Sequence, residues 1–269
     1  MHAGFSVRMF AHSMKKFILL LAVVSVFAGC KTSAPSAAPR AANGKQFTYV
    51  IVHGAWGGGW DWKTVDHLLT ADGHTVYRPT LTGQGEHSHL ASTNVDLDTH
   101  IQDIVNVILW EDLHDVVLVG HSYGGMVITG VADRVPERIQ HVIYLDALLP
   151  ENGECAETVR TNRNNNLTVI NGFIPPVWVK GNPPPPHDVP MSAKSFTQPI
   201  TLTNQAVARQ LPTTYILTVD AGKTPAQDDF YQCYQRAQAR GWPVLIMEGD
   251  HNVQRSHPRE VVKLLEQAP

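Results

Sequence analysis

A serine framed by glycines, Gly120-His121-Ser122-Tyr123-Gly124, directly follows the apolar run Val116 to Val119 and precedes a stretch with helical spacing. A strand-to-helix turn of this pattern raises the serine hydroxyl above the sheet edge, at the electropositive start of a helix. The flanking glycines leave room for neighbouring backbone. A hydroxyl is a weak nucleophile without a base, so a histidine is expected late in the chain, after an acid. His251, in Glu248-Gly249-Asp250-His251-Asn252 just past the last apolar run, fits that place, with His257 its nearest rival among 14 histidines. The acid that holds the imidazole belongs at the end of the penultimate strand. Asp220 closes Tyr215-Ile216-Leu217-Thr218-Val219-Asp220 and is favoured; Asp146, after an earlier strand, is the alternative. Asp228 and Asp229 read as the entry of the next helix.

Acyl transfer also needs donors for a developing oxyanion. The segment His53-Gly54-Ala55-Trp56-Gly57-Gly58-Gly59-Trp60 follows the first strong strand. The backbone N–H groups of Ala55 and Tyr123 are expected to converge there, one in this loop and one just after the nucleophile. A phosphate-cradling loop is the competing reading, but the Lys-Ser/Thr ending and the G-x-G-x-x-G spacing are missing. Two polar groups could in principle hold a metal: Glu86, His87 and His89, and Asp96, Asp98, His100 and Asp103. Neither has the paired spacing of a zinc enzyme, and the second is better explained by capping at a helix start. No metal or organic cofactor is expected.

The elements that must position these residues alternate along the chain. Phe47 to Val52, Thr75 to Tyr77, Val116 to Val119, His141 to Leu145, Thr214 to Val219 and Val244 to Met247 read as strands. Trp60 to Ala71, Thr99 to Trp110, Tyr123 to Val135, Asp229 to Arg240 and Pro258 to Gln267 read as helices, with Thr99 as a cap and Gly73 and Gly241 as stops. Such alternation predicts an α/β fold, a mostly parallel sheet with helices on both faces. The stretch of about 150–205, rich in asparagine and holding the run Pro183 to Pro186, breaks it and reads as a lid inserted over the strand ends. Phe173, Ile174, Val177 and Trp178 either line an acyl or alcohol pocket there or pack the lid onto the core.

At 269 residues and 43% hydrophobic, the chain suffices for one large catalytic domain. A net charge of -3 with scattered Lys and Arg excludes the basic surface that nucleic acid requires. Lys15 and Lys16 before the apolar run Phe17 to Ala28 read as an export signal over 1–30, with Met14 its start, and the run is too short to favour a transmembrane helix. Phe27-Ala28-Gly29-Cys30 resembles a bacterial lipobox, with Phe27 in place of the usual Leu, so Cys30 is the expected lipid attachment site; ordinary secretion is the alternative. Lys31 favours the outer membrane by resemblance to sorting rules. Residues 31–44 read as an Ala, Pro and Ser-rich tether, and 45–269 as the folded catalytic domain. Cys155 and Cys233 could pair in an oxidising compartment, though two cysteines make no disulfide framework.

With His53-Gly54-Ala55, Gly120-His121-Ser122-Tyr123-Gly124-Gly125, Tyr144-Leu145-Asp146-Ala147 and Gly249-Asp250-His251 assembled, the chain resembles the α/β-hydrolase superfamily from about Phe47 to the C-terminus. Within it, it looks like the branch of plant methylesterases, salicylate-esterase-like proteins and hydroxynitrile lyases. The resemblance implies an α/β-hydrolase fold, a Ser122, Asp220, His251 triad, an oxyanion hole at Ala55 and Tyr123, and no cofactor. Hydroxynitrile lyases carry a lysine after the histidine, where this chain has Asn252, which disfavours cyanohydrin cleavage. Plant methylesterases usually have a histidine where Gly57 stands and a methionine where Asn252 stands, so their specificity does not carry over.

The expected activity is hydrolysis of small carboxylic esters, with a small-molecule ester as the partner and the membrane reached only through the lipid anchor. A lyase or perhydrolase activity on the same fold is the enzymatic alternative. A silent small-molecule-binding protein is the alternative of another class.

Overall fold

The structure is a computed structural model and describes residues 44–160 and 167–269. The expected export signal, Cys30 and nearly all of the tether lie outside the described residues.

The elements run β1 (Thr48–Val52), α1 (Lys63–Ala71), β2 (Thr75–Tyr77), α2 (Leu97–Trp110), β3 (Val116–Ser122), α3 (Gly124–Arg134) and β4 (Ile139–Ala147). Then come α4 (Ala156–Val159), β5 (Phe173–Ile174), β6 (Met191–Ser192), α5 (Ala193–Thr197), α6 (Gln205–Ala208), β7 (Thr213–Val219), α7 (Tyr231–Ala239), β8 (Val244–Glu248), α8 (Val253–Ser256) and α9 (Pro258–Gln267). Six strands pair in the order β2-β1-β3-β4-β7-β8, every pair parallel.

Successive strand side chains point to opposite faces, and helices cover both, so the central strands are unbroken apolar runs. Val50, Val52, Leu118 and Leu217 enter a core shared with α2, α3 and α7. Tyr49, Ile51, Val117 and Ile216 enter a second core with α1 and α9. Val65, Leu69, Val261 and Leu265 supply the helix side of that second core, and all four are buried.

Element ends differ from expectation for local reasons. The first helix is preceded by a 3-10 turn over Gly59–Trp62. Asp96, not Thr99, caps α2: its carboxylate accepts the Thr99 N–H at 2.9 Å. This side-chain acceptor satisfies an N–H that the helix itself leaves unpaired. β3 runs three residues beyond Val119 because it continues to pair with β4 as far as Ser122 and Ala147.

The insertion between β4 and β7 is built of α4, the antiparallel pair β5 and β6, α5 and α6. Both of its ends are pinned. At its start, the Arg236 guanidinium donates to the Leu149 carbonyl and to Glu154, while Arg240 donates to Glu151 at 2.6 Å. At its end, the Asp133 carboxylate on α3 accepts the Thr203 and Asn204 N–H groups, each at 2.8 Å. Cys155 and Cys233 are both buried free thiols, and the Cys233 sulfur accepts the Leu149 N–H. No helix among the described residues is long and apolar enough to cross a membrane.

Candidate active site

Ser122 ends β3 at φ 55, and Asp146, next to last in β4, sits at φ 44. Non-glycine residues rarely adopt this left-handed backbone, and where a fold holds them there the strain tends to mark a site. The Ser122 carbonyl accepts the Leu148 N–H at 3.0 Å, which ties the two strand ends together. Two close approaches depend on glycine. A Cβ on Gly124 would lie 2.6 Å from the Val52 carbonyl oxygen, and one on Gly54 would lie 3.0 Å from Ser122 Cβ. The loop after β1 therefore lies directly against the serine turn.

The Ser122 hydroxyl is 2.9 Å from His251 Nε2, and His251 Nδ1 is 2.6 Å from Asp146 Oδ2. With Nδ1–H donating to the carboxylate, Nε2 is left to accept the serine proton. The other Asp146 oxygen accepts the Thr218 N–H of β7 at 3.1 Å, so this carboxylate, only 1% exposed, is held by two donors. The expectation of Asp220 as the acid is corrected here. Asp220 is exposed and pairs with Lys223 three residues on, at 2.7 Å. Asp146 reaches the imidazole because β4 is adjacent to β3 in the sheet, so its end lies beside Ser122. Asp220 follows β7, one strand further away.

Among the described residues the His251 ring lies against His121 at 4.6 Å and Phe230 at 4.9 Å, the latter nearly parallel. His121 Nε2–H donates to the His251 carbonyl at 2.7 Å, which anchors the loop, while the buried His121 Nδ1 finds no hydrogen-bond partner among the described residues. Burial holds His121 well below the usual histidine range. For His251, burial also opposes protonation, but the hydrogen bond and charge of Asp146, with Asp228 and Asp229 nearby, outweigh it and raise its pKa. Burial and the Asp146 charge push the Asp228 carboxyl up to about 6.

The loop after β1 is fixed by His53, a fully buried ring. Its Nε2 accepts the Leu81 N–H at 3.1 Å, so Nδ1–H donates to the Gly54 carbonyl at 2.7 Å. Ala55 and Tyr123, the two residues expected to supply oxyanion donors, both line the cavity that holds Ser122. This cavity, about 830 Å³, opens over Ser122 and His251. Its walls include Trp56, Ile174, Trp178, Phe196 and Phe230, with Asp220, Lys223 and Asp228 among the polar groups. Of the four apolar lid residues considered from sequence, Ile174, Val177 and Trp178 line it and Phe173 does not. Trp56 and Phe196 carried no signal as lining groups, since an aromatic beside a glycine run or in a short helix has no pattern of its own.

The two polar groups weighed as metal ligands are engaged otherwise. His87 Nδ1 meets the Thr80 carbonyl, and His89 Nδ1 the Glu86 carbonyl. Asp96 caps α2, Asp98 pairs with Arg134, and Asp103 takes the Thr82 N–H and hydroxyl.

A six-stranded parallel sheet, a serine on a strained strand-to-helix turn and a histidine after the last strand define an α/β hydrolase. The chain belongs to the alpha/beta hydrolase family, whose model matches residues 49–264. It is 54% identical over 106 residues to a carbendazim hydrolyzing esterase of Nocardioides sp. (strain SG-4G), a stretch covering 39% of this chain and 44% of that protein. It is 30% identical over 121 residues to methylesterase 1 of Arabidopsis thaliana, covering 44% and 46%. The chain thus spans less than half the length of these curated relatives. Among solved structures, a pyrethroid hydrolase from Sphingobium faniae JZ-2 superposes with TM-score 0.63 at 22% identity, covering 82% of this chain and 96% of that one. A methylesterase from Arabidopsis gives TM-score 0.63 at 23% identity, covering 82% and 98%. At such identities the two structures share the fold.

Proposed function

We propose that the protein hydrolyses small carboxylic esters through an acyl-enzyme on Ser122. The observation that carries this reading is the unbroken chain Ser122 Oγ to His251 Nε2 to Asp146, at 2.9 and 2.6 Å, on the wall of a cavity large enough for a small molecule. As Oγ attacks the ester carbonyl carbon, its proton passes to His251 Nε2, and Asp146 stabilises the resulting imidazolium. The N–H groups of Ala55 and Tyr123 receive the carbonyl oxygen as it gains charge. His251 then returns the proton to the leaving alkoxide, and a water activated by the same imidazole releases the acid. The relatives named esterase and methylesterase support this chemistry.

The aromatic walls formed by Trp56, Trp178, Phe196 and Phe230 favour an ester with one flat, apolar group. In the same reading, hydrolysis takes place outside the cytoplasm on a lipid-anchored protein; the basic pair and apolar run ending at Cys30 support this placement.

The test compares residues 45–269 with the Ser122→Ala variant on a panel of short alkyl and aryl esters, alongside labelling by a fluorophosphonate. Turnover and labelling that vanish together in the variant support the reading. Equal turnover in both, or a folded wild type that neither turns over nor labels, rejects it.

A further inference from the structure

The side chain of Tyr123 is buried, and its hydroxyl is hydrogen-bonded as well as packed. Its phenol lies 3.0 Å from Nδ1 of His100, a fully buried residue on α2. His100 Nε2 lies 3.1 Å from the Thr82 carbonyl, which can only accept, so Nε2 carries the proton and Nδ1 accepts from the phenol. The Thr82 backbone is fixed in turn, its N–H bonded to Asp103 at 2.7 Å. Burial keeps His100 neutral by lowering its pKa to about 4.

From the lid side, Phe196 on α5 stacks on the Tyr123 ring at 5.4 Å and also packs against Trp56 at 5.6 Å. Trp56 follows Ala55, the other expected oxyanion donor. It sits at φ 66 with its indole N–H on the Ile174 carbonyl at 2.9 Å. One lid residue thus bears on the ring of one donor residue and on the ring next to the other, and at the far end of the Tyr123 ring His100, with Ser195 also against the hydroxyl, fixes the phenol.

We propose that His100 is a positioning residue for the oxyanion hole: by accepting from the Tyr123 phenol it aims the Tyr123 backbone N–H at the developing negative charge. The inference rests on the hydrolase reading above. Tyr123 immediately precedes α3, so a ring fixed at its hydroxyl and stacked on one face leaves its backbone little freedom to turn. His100 does not line the cavity, so its influence is on the transition state rather than on substrate contact. Losing a whole oxyanion donor costs roughly 100- to 1,000-fold in kcat, and a donor that is only loosened costs less, about tenfold.

The experiment measures kcat, KM and the inhibition constant of an arylboronate for His100→Leu, His100→Asn, Tyr123→Phe and the double variant His100→Leu/Tyr123→Phe. Asparagine places an acceptor oxygen where Nδ1 stood, so it restores the bond that leucine removes. The expected result is a drop of about tenfold in kcat for His100→Leu and for Tyr123→Phe, with KM within about twofold and boronate affinity falling in parallel. The double variant is no slower than the singles, and His100→Asn recovers most of the rate.

Wild-type kcat in folded His100→Leu overturns the proposal, as does a loss confined to KM or losses that multiply in the double variant. If His100→Leu fails to fold, Tyr123→Phe, which deletes a single oxygen, decides alone, and wild-type kcat in it is fatal. Failure of the hydrolase reading looks different: wild type and Ser122→Ala then turn over alike, and the basis of both proposals is gone.

Discussion

Ser122 and Asp146 lie at the ends of neighbouring parallel strands, both in the left-handed backbone region, and the Ser122 carbonyl is hydrogen-bonded to the Leu148 N–H two residues beyond Asp146. The nucleophile and the carboxylate of the proposed relay are thus set by one stretch of sheet. Only the imidazole comes from a loop.

Replacing Asp146 by Asn removes the charge that holds the His251 tautomer, and kcat is expected to fall about 1,000-fold or more with KM little changed. Asp220→Asn breaks a solvent-exposed pair with Lys223 on the cavity wall and leaves the His251 contact intact, so kcat is expected to stay within about threefold of wild type even where KM moves. Steady-state kinetics of both variants on one aryl ester settles which acid serves.

His251 must be neutral to act as base, and its pKa is raised, chiefly by Asp146 acting against burial. The acid limb of kcat/KM is therefore expected above the ordinary histidine value of about 6.5, with activity rising as pH rises through it. Asp228 adds to this rise, so Asp228→Asn is expected to move the limb to lower pH. A limb that stays in place, or moves up, contradicts the assignment.

Acid should also loosen the fold. Burial lowers the pKa values of His53, His100, His121 and His141 below the unfolded value. Between the folded and unfolded pKa values the unfolded chain binds more protons, so stability is greatest above about 6.5 and falls as pH drops toward 4. Thermal unfolding midpoints taken from pH 8 to pH 4 should decline over that window and flatten above it. His251, with its raised pKa, contributes in the opposite sense.

Gly124→Ala tests how closely the serine turn abuts β1. The added methyl group meets the Val52 and His53 carbonyl oxygens at 2.6 and 2.9 Å, both backbone atoms that cannot rotate away. A loss of about 1–3 kcal/mol in urea unfolding is expected, with a fall in kcat as the loops that carry Ala55 and Tyr123 are forced apart.

Much of this was legible in the residues. The six strands, the serine turn and the late histidine announce themselves through apolar runs of strand length and through glycine spacing, which depend only on local geometry. The acid was harder, because Asp146 and Asp220 each follow a strand and only the order of strands in the sheet decides which lies near His251. Asp96 and Thr99 are both good capping residues three positions apart, so the residues alone place a cap there without deciding that Asp96 serves. His100 was visible only as one member of a polar group. Its bond to Tyr123 spans 23 residues and leaves no local pattern.

Because the carboxylate that meets His251 resides on β4, the turn that follows β7 has no part in the proposed proton relay, yet Asp220, Lys223 and Gln227 from that turn help wall the cavity. Here residues 220–227 form a segment that a combinatorial library can vary freely, altering which molecules enter while the reactive machinery stays untouched.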